Sequence, residues 1–280
     1  MLQHGDEKKQ KSLLQRLSQL QGGLLVAYSG GIDSAYLAWA AHQALGKMML
    51  AIIADSPSLP RTHLADAVAF AAEHRIPLHI LETEEMNNPA YVQNDATRCF
   101  HCKDELFTVM ERELATSGFR HLAYGRNFDD AGDFRPGQRA AANHLALAPL
   151  AEAGLDKATI RRLAKAADLR LWDKPASACL SSRIEYGQPV THETLRRIEQ
   201  SEEALARLGF PQVRVRAHGE VARVEIAVED LSRALNTATF RAISKAVRGA
   251  GFHFVAIDTD GYRSGSMNDL LSADSIRSAR

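Results

Sequence analysis

Leu24-Leu25-Val26-Ala27-Tyr28-Ser29-Gly30-Gly31-Ile32-Asp33-Ser34 is the stretch of sequence that decides the fold. Its apolar first half predicts a strand that is covered on both faces. Gly30 and Gly31 permit a sharp turn and a close approach of the backbone to a ligand. A helix is predicted from Asp33 onward, and the first N–H groups of a helix have no intrahelical partners. Because such a helix start favours anions, the stretch predicts a phosphate or pyrophosphate site.

The hexapeptide at residues 29–34, SGGIDS, is not a Walker loop, because it has no lysine before its last serine. SGGxDS directly after a strand resembles the PP-loop of the ATP pyrophosphatases. That resemblance implies that ATP is split between its α and β phosphates, that a substrate oxygen is adenylated, and that pyrophosphate is released. The alternative is an ordinary βα turn in which Asp33 only caps a helix. The predicted phosphate-binding residues are Ser29, Gly30, Gly31, Asp33 and Ser34.

The composition is that of a soluble globular protein, with 280 residues, 45% of them hydrophobic and 24% charged. The formal net charge of zero argues against non-specific nucleic-acid binding as the main role. No apolar run reaches the roughly 18 residues of a membrane span, and residues 1–21 lack the apolar core of a signal peptide. We therefore expect a cytoplasmic protein without a membrane or nucleic-acid partner.

Strands and helices alternate through the first two thirds of the chain. This order predicts a parallel sheet with helices on both faces. Ligands bind at the carboxyl ends of such strands, where Asp55 and Gly125 are expected beside the adenosine of ATP. Asp129 and Asp130 follow the fourth strand, and two acids there would help to hold Mg²⁺ and pyrophosphate, the alternative being a solvated turn. The predicted strands are residues 24–28, 48–54, 78–81, 121–124 and 147–150, and the predicted helices are residues 9–20, 62–74, 104–117 and 157–167.

A loop rich in Pro, Ser and Ala precedes the predicted domain boundary, so that the nucleotide domain covers residues 1–186. Residues 187–280 predict a smaller α+β domain for substrate binding or oligomerisation. Arg214 and Arg216 share one face of a predicted strand, and with Arg223 nearby they would suit a nucleotide phosphate. The alternative for these arginines is a solvated sheet face. The predicted helices are residues 191–208 and most of 231–248, and the predicted strands are residues 213–216, 221–226 and 252–257.

The three cysteines need a role other than a disulfide framework, which a cytoplasmic protein does not form. Cys99 and Cys102 form a C-x-x-C pair, a spacing used by zinc sites, thioredoxin-like redox pairs and iron–sulfur clusters. Arg183 stands four residues after Cys179, where it would lower the pKa of the thiol or bind a substrate anion. The alternative is that the cysteines are small hydrophobic residues.

Motifs spread over nearly the whole chain resemble the LarE family, the ATP-dependent sulfur transferases that help to build the nickel-pincer cofactor of lactate racemase. The resemblance implies that ATP adenylates a carboxylate of a pyridinium mononucleotide, and that sulfur then displaces AMP to leave a thiocarboxylate. The matching motifs are SGGIDS at 29–34, RCFHCK at 98–103, GRNFDD at 125–130, DFRPG at 133–137, PLAEAGL at 149–155, WDKP at 172–175, ACLSSR at 178–183, VRVR at 213–216 and GYRSGSMN at 261–268.

The resemblance also implies partners and site residues. ATP, Mg²⁺, an anionic mononucleotide substrate and a sulfur donor are expected, together with a homo-oligomer such as a hexamer. Catalytic roles fall to Cys179, Asp33 and Arg183. Some family members sacrifice the sulfur of a single cysteine and are left with dehydroalanine, whereas those with three cysteines are associated with a [4Fe-4S] cluster. Cys99, Cys102 and Cys179 match the three-cysteine pattern, so they are predicted to hold one such cluster.

Two other function classes stay open. Another PP-loop enzyme would thiolate tRNA or form an amide, but the first predicts a strongly basic surface and the second an ammonia source, and neither is visible in the sequence. A non-catalytic ATP-binding module would leave the acids, arginines and cysteines unexplained. Release of pyrophosphate in the presence of an acceptor separates these classes, because a module that only senses ATP releases none.

Overall fold

The structure is a computed structural model of the chain, and it describes residues 2–132, 136–175, 178–263 and 265–267. In chain order the elements are α1 (His4–Ser18), β1 (Leu24–Ala27), α2 (Ile32–Leu45), β2 (Met49–Asp55), α3 (Arg61–Glu73), β3 (Leu78–Glu82), α4 (Pro89–Val92), α5 (Arg98–Ser117), β4 (His121–Tyr124), α6 (Pro136–Asn143), α7 (Pro149–Glu152), α8 (Lys157–Ala166), α9 (His192–Arg207), β5 (Val213–His218), β6 (Val221–Ile226), α10 (Leu231–Ala234), α11 (Thr237–Gly249) and β7 (Phe254–Ile257).

The chain forms two compact units. The first comprises Met1–Glu85 and Cys99–Ser177, and the second comprises Met86–Arg98 and Ala178–Ala279. The domain boundary after residue 186 stays a prediction. None of the helices in the described part of the chain is both long and apolar enough to cross a membrane.

The first unit contains a four-stranded parallel sheet with the order β3-β2-β1-β4. All four residues of β1 are buried, which confirms the prediction of a strand covered on both faces. Leu24 and Val26 join a core cluster that includes α1, α2, α3 and α8, whereas Leu25 and Ala27 join a second cluster with α5 and α6. Successive side chains of a strand point to opposite faces, so the run of apolar residues requires helices on both sides. The predicted α/β fold, a Rossmann-like sheet of the PP-loop type, is therefore confirmed.

Two sequence predictions in the first unit are wrong. Residues 147–150 do not form a fifth strand: Leu147 makes one isolated parallel bridge with Ala123, and Pro149 then begins α7. Proline suits the first position of a helix because its missing N–H would have no partner there. The helix predicted to begin at residue 104 begins at Arg98 instead, which places Cys99 and Cys102 within the first five residues of α5.

The second unit contains a three-stranded sheet with the order β5-β6-β7, in which β5 pairs antiparallel and β7 parallel with β6. The helix predicted over residues 231–248 is divided into α10 and α11. Asn236 causes the division, since its side chain accepts a hydrogen bond from the N–H of Thr239 and thereby caps a new helix. The predicted strands at 213–216 and 252–257 are observed as Val213–His218 and Phe254–Ile257.

Candidate functional site

The loop between β1 and α2 forms a tight turn that ends at the first residue of α2. Gly30 has a φ of +71°, in the left-handed region that favours glycine. The hydroxyl of Ser34 accepts a hydrogen bond from the N–H of Ser29 at 3.1 Å and donates one to the carbonyl of Gly31 at 3.1 Å. Since Ser34 is buried, its hydroxyl fixes the turn from inside, and the N-terminus of α2 faces the carboxyl end of the sheet.

Gly125 brings the exit of β4 against this loop. A Cβ atom built on Gly125 would lie 2.6 Å from the N of Ser34 and 2.8 Å from its Cα, closer than real Cβ contacts. Any larger residue would therefore push the β4 exit away from the start of α2. The predicted neighbours Ser29, Ser34 and Gly125 lie together at the carboxyl ends of β1 and β4.

Asp33 is the centre of the polar cluster at this edge. Its Oδ2 accepts hydrogen bonds from the ammonium of Lys157 at 2.5 Å and from the side-chain amide of Asn127 at 3.2 Å. Its Oδ1 is buried and has no hydrogen-bond partner among the residues that the structure describes. A buried carboxylate oxygen without a partner is unfavourable unless a ligand supplies one. The oxygen is suited to Mg²⁺, which prefers carboxylate ligands together with phosphates.

Asp129 and Asp130 stabilise the loop that carries Asn127. The side-chain oxygen of Asn127 accepts the N–H of both acids, at 2.9 and 3.2 Å, and Asp130 accepts the N–H of Asn127 at 3.2 Å. Asp129 accepts the backbone N–H of Lys157 at 2.9 Å, at the first residue of α8. The two acids thus position the partners of Asp33, and their direct role with Mg²⁺ stays a prediction.

Asp55 lies at the end of β2, on the same edge. It forms an ion pair with Arg61, whose guanidinium also donates to the carbonyl of Ser56 at 2.6 Å. The hydroxyl of Ser56 donates to Glu85, and both residues are buried. This network gives the segment after β2 a defined shape, at the position where the sequence predicts the adenosine.

Cys179 lies in a compact loop of the second unit, directly before a 3₁₀ turn at Leu180–Arg183. Its Sγ is 3.0 Å from the hydroxyl of Ser181. Burial raises the pKa of the thiol, but the charge of Arg98, the Ser181 hydrogen bond and the charge of Arg183 outweigh it, so that the pKa lies below its ordinary value. A lowered pKa increases the thiolate fraction, which is the nucleophilic form.

Two buried arginines hold this loop from inside. Arg183 donates to the carbonyls of Ala178 and Cys179 at 2.7 and 2.8 Å, and its guanidinium pairs with Glu202 of α9 at 3.1 Å. Arg98 donates to the carbonyl of Ser181 at 2.9 Å. The loop that carries Cys179 is therefore fixed through its own backbone.

Arg214, Arg216 and Arg223, which the sequence predicts to bind a nucleotide phosphate, have different surroundings in the second unit. Arg216 is buried and pairs with the fully buried Glu225 at 2.7 Å, and Arg223 pairs with the same carboxylate at 3.0 Å. Arg214 donates to the carbonyl of Val213, and its guanidinium lies 5.2 Å from the ring centroid of Tyr262. Two of the arginines therefore take part in an internal ion network rather than a solvated sheet face.

Cys99 is exposed and Cys102 is partly buried on α5 in the first unit, whereas Cys179 belongs to the second unit. Within the described residues, no group of three or more His, Cys, Asp and Glu side chains is arranged to hold a metal ion. The three-cysteine cluster site stays a prediction of the sequence.

Sequence reasoning gave no role to several of these residues, among them Asn127, Lys157, Glu202 and Glu225. Lys157 is the clearest case, because it stands 124 positions after Asp33 and its contact depends on the fold. One signal was available, since Asp156 precedes a helical pattern as an N-cap would. The structure shows Asp156 accepting the N–H of Thr159 at 2.7 Å, which fixes Lys157 at the first position of α8.

No family model matches the chain. Similar proteins are found over nearly its full length. It is 38% identical to an uncharacterized protein of Synechocystis sp. over 265 residues, 94% of this chain and 99% of that protein. It is 29% identical to an uncharacterized protein of Methanocaldococcus jannaschii over 241 residues, 86% of this chain and 91% of that protein.

A third relative has a named activity. The chain is 30% identical to the pyridinium-3,5-bisthiocarboxylic acid mononucleotide synthase of Lactiplantibacillus plantarum over 266 residues, 94% of this chain and 95% of the synthase. The match covers both units, including the glycine loop and the loop that carries Cys179. The resemblance drawn from the sequence motifs is thereby confirmed, and this chain belongs to the LarE family, that of the pyridinium-3,5-bisthiocarboxylic acid mononucleotide synthase.

Proposed function

We propose that this protein is an ATP-dependent sulfur transferase, which adenylates a carboxylate of a pyridinium mononucleotide and replaces a carboxylate oxygen with sulfur in nickel-pincer cofactor synthesis. The name of the relative supports the substrate class, since it describes a bisthiocarboxylic acid mononucleotide. The observation that carries the proposal is the carboxylate of Asp33, which holds Lys157 with one oxygen and keeps the other buried without a partner among the described residues.

The glycine loop would bind the β and γ phosphates of ATP through backbone N–H groups at the start of α2. The ammonium of Lys157 would offset the charge of these phosphates, and the second oxygen of Asp33 would bind Mg²⁺. A carboxylate oxygen of the acceptor attacks the α-phosphorus, the bond from that phosphorus to the bridging oxygen breaks, and pyrophosphate leaves. The product is an acyl adenylate.

Adenylation prepares the carboxyl carbon for sulfur, because AMP is a far better leaving group than an oxide. A sulfur nucleophile attacks this carbon and AMP departs. In the sacrificial mechanism, which competes with the cluster proposed below, Cys179 would supply the attacking thiolate, since the pKa of its thiol is lowered. If Cys179 gives up its own sulfur, loss of its α-proton and cleavage of its Cβ–S bond release the thiocarboxylate and leave dehydroalanine.

We further propose that Cys99, Cys102 and Cys179 hold one [4Fe-4S] cluster with one iron free of protein ligands. Cys99 and Cys102 fit two ligand positions, because residues three apart on a helix share a face. A cluster held by these three ligands would supply sulfide for the reaction, so that the enzyme would turn over without consuming Cys179. Cys99 and Cys102 would then be two of the three cluster ligands. The protein is also proposed to form a homo-oligomer.

Replacement of Asp33 by Ala tests the proposal. In wild-type protein given ATP, Mg²⁺ and pyridinium-3,5-biscarboxylic acid mononucleotide, pyrophosphate should appear only when the mononucleotide is present. Asp33→Ala should abolish this release while the circular dichroism spectrum stays unchanged, because the variant loses the contact to Lys157 and the predicted Mg²⁺ ligand.

Glu7→Gln is the matched control, since it removes an exposed carboxylate of α1 in the same unit. It should release pyrophosphate at the wild-type rate. Full activity of a folded Asp33→Ala variant would refute the assignment of the site, and release from wild type without the mononucleotide would refute the acceptor class.

A further inference from the structure

The side chain of Lys103, in the RCFHCK motif, packs against Gly137, in the DFRPG motif. A Cβ atom built on Gly137 would lie 2.5 Å from Cδ and 3.0 Å from Cε of Lys103. The stem of the lysine therefore lies in a notch on α6 that exists only because residue 137 has no side chain. From this notch its ammonium reaches a point 5.3 Å from the ring centroid of Tyr124.

Arg126 lies beside the same tyrosine. Its guanidinium forms a side-chain hydrogen bond with Tyr124. Its Nε is buried and has no hydrogen-bond partner within the described part of the chain. A buried N–H donor without an acceptor is unfavourable, and in native structures such groups mark missing water or ligands. The unpaired donor therefore leaves a position next to Tyr124 where an acceptor atom of a ligand or a water could bind.

The position of Tyr124 places these two cations beside the nucleotide loop. Tyr124 is the last residue of β4 and is in register with Ala27, the last residue of β1. Gly125, the next residue, approaches Ser34 of the glycine loop. Lys103 and Arg126 thus lie at the carboxyl edge of the sheet, next to the loop rather than in it.

We propose that Lys103 and Arg126 form a second anion subsite, which binds the reacting carboxylate of the acceptor. The inference rests on the proposed function and extends it to the site of the second substrate. In phosphoryl and nucleotidyl transfer the attacking and leaving oxygens are roughly in line, so the acceptor must lie beside the bound triphosphate. Two cations next to the glycine loop would hold the carboxylate of the acceptor there against the charge of the phosphates.

A double-mutant cycle between Lys103 and Gly137 tests this subsite. Lys103→Met removes the charge but retains an apolar stem, and Gly137→Ala fills the notch while the lysine is retained. Gly5→Ala is the matched control, because Gly5 occupies the same second position of a helix and has nothing within 4 Å of a built Cβ. Binding of pyridinium-3,5-biscarboxylic acid mononucleotide and of ATP would each be measured by calorimetry on the full-length protein.

We expect Lys103→Met and Gly137→Ala each to weaken binding of the mononucleotide by about tenfold to a hundredfold, with ATP binding unchanged. Their combination should be no worse than Lys103→Met alone, because the alanine acts only through the lysine. Gly5→Ala should bind both ligands as wild type does.

Equal losses of ATP and mononucleotide binding would assign the cations to the nucleotide phosphates and overturn the proposal, as would additive effects in the cycle. Wild-type affinity in either single variant would overturn it as well. Failure of the proposed function would look different, since wild-type protein itself would then release no pyrophosphate with this mononucleotide.

Discussion

Arg214 and Arg216 of the second unit differ in their interactions, although both belong to the VRVR motif. The sequence correctly indicates that Arg214 and Arg216 share a strand. It does not reveal Glu225, because the burial of a carboxylate depends on how the two strands of a hairpin are covered. A fully buried carboxylate between two guanidinium groups stabilises the fold only while its partners are present. Arg214 is left as the arginine best placed to contact a ligand.

We therefore expect Arg216→Ala to lower the free energy of unfolding by about 3–5 kcal/mol, because it removes a partner of a buried charge. Arg214→Ala should leave stability nearly unchanged and weaken binding of the mononucleotide more than binding of ATP. Urea denaturation and calorimetric titration of both variants measure these effects. If Arg214→Ala proved as destabilising as Arg216→Ala, the two arginines would share one structural role.

The helix α5 shows most clearly what sequence patterns predict and what they do not. Its second half follows the amphipathic pattern, and its end at Ser117 is predicted correctly. Its first five residues include Arg98, Cys99 and Cys102, which do not form an apolar stripe, and periodicity therefore gave no reason to begin the helix there. Tertiary contacts decide the start, since Arg98 is buried and bonds to the carbonyl of Ser181.

The same helix contacts His144, the residue that directly follows α6. The Nε2 of His144 lies 3.1 Å from a carboxylate oxygen of Asp104, and its Nδ1 lies 3.0 Å from one of Glu111. The imidazole ring stacks on Phe107. Burial lowers the pKa of His144, but the hydrogen bonds to Glu111 and Asp104 outweigh it, so the pKa is raised above its ordinary value. The protonated ring is therefore the form that pairs with the two carboxylates of α5.

A raised pKa in the folded state stabilises the protein fully below the ordinary histidine value of about 6.5. This contribution is lost as the pH rises through the folded pKa. His144→Gln should therefore be less stable than wild type at pH 5.5, and the difference should shrink at pH 8.5. Thermal unfolding at both values measures it, with the exposed His4→Gln as control. A difference that grows with pH would contradict the assignment of the charge.

The candidate site residues are divided between two compact units, one with the glycine loop and one with the Cys179 loop. The sequence predicted the parallel sheet because apolar runs, glycine turns and helical patterns are local signals, and ligand binding at its carboxyl edge stays a prediction. It missed Lys157 and Asn127, since their contacts with Asp33 join positions far apart in the chain. Cys99 and Cys102 belong to the first unit and Cys179 to the second. The proposed cluster therefore rests on the sequence pattern of the three cysteines.

The mass of the mononucleotide after turnover tests the central claim most directly. Anaerobically prepared protein is incubated with ATP, Mg²⁺, sulfide and pyridinium-3,5-biscarboxylic acid mononucleotide, and the mixture is examined by mass spectrometry. The account predicts a mononucleotide in which sulfur has replaced a carboxylate oxygen, formed together with AMP and pyrophosphate, and a protein of unchanged mass. A protein lighter by one hydrogen sulfide would assign the sulfur to Cys179 and refute the cluster. A mononucleotide that keeps all its oxygens, or that gains nitrogen instead of sulfur, would contradict the account.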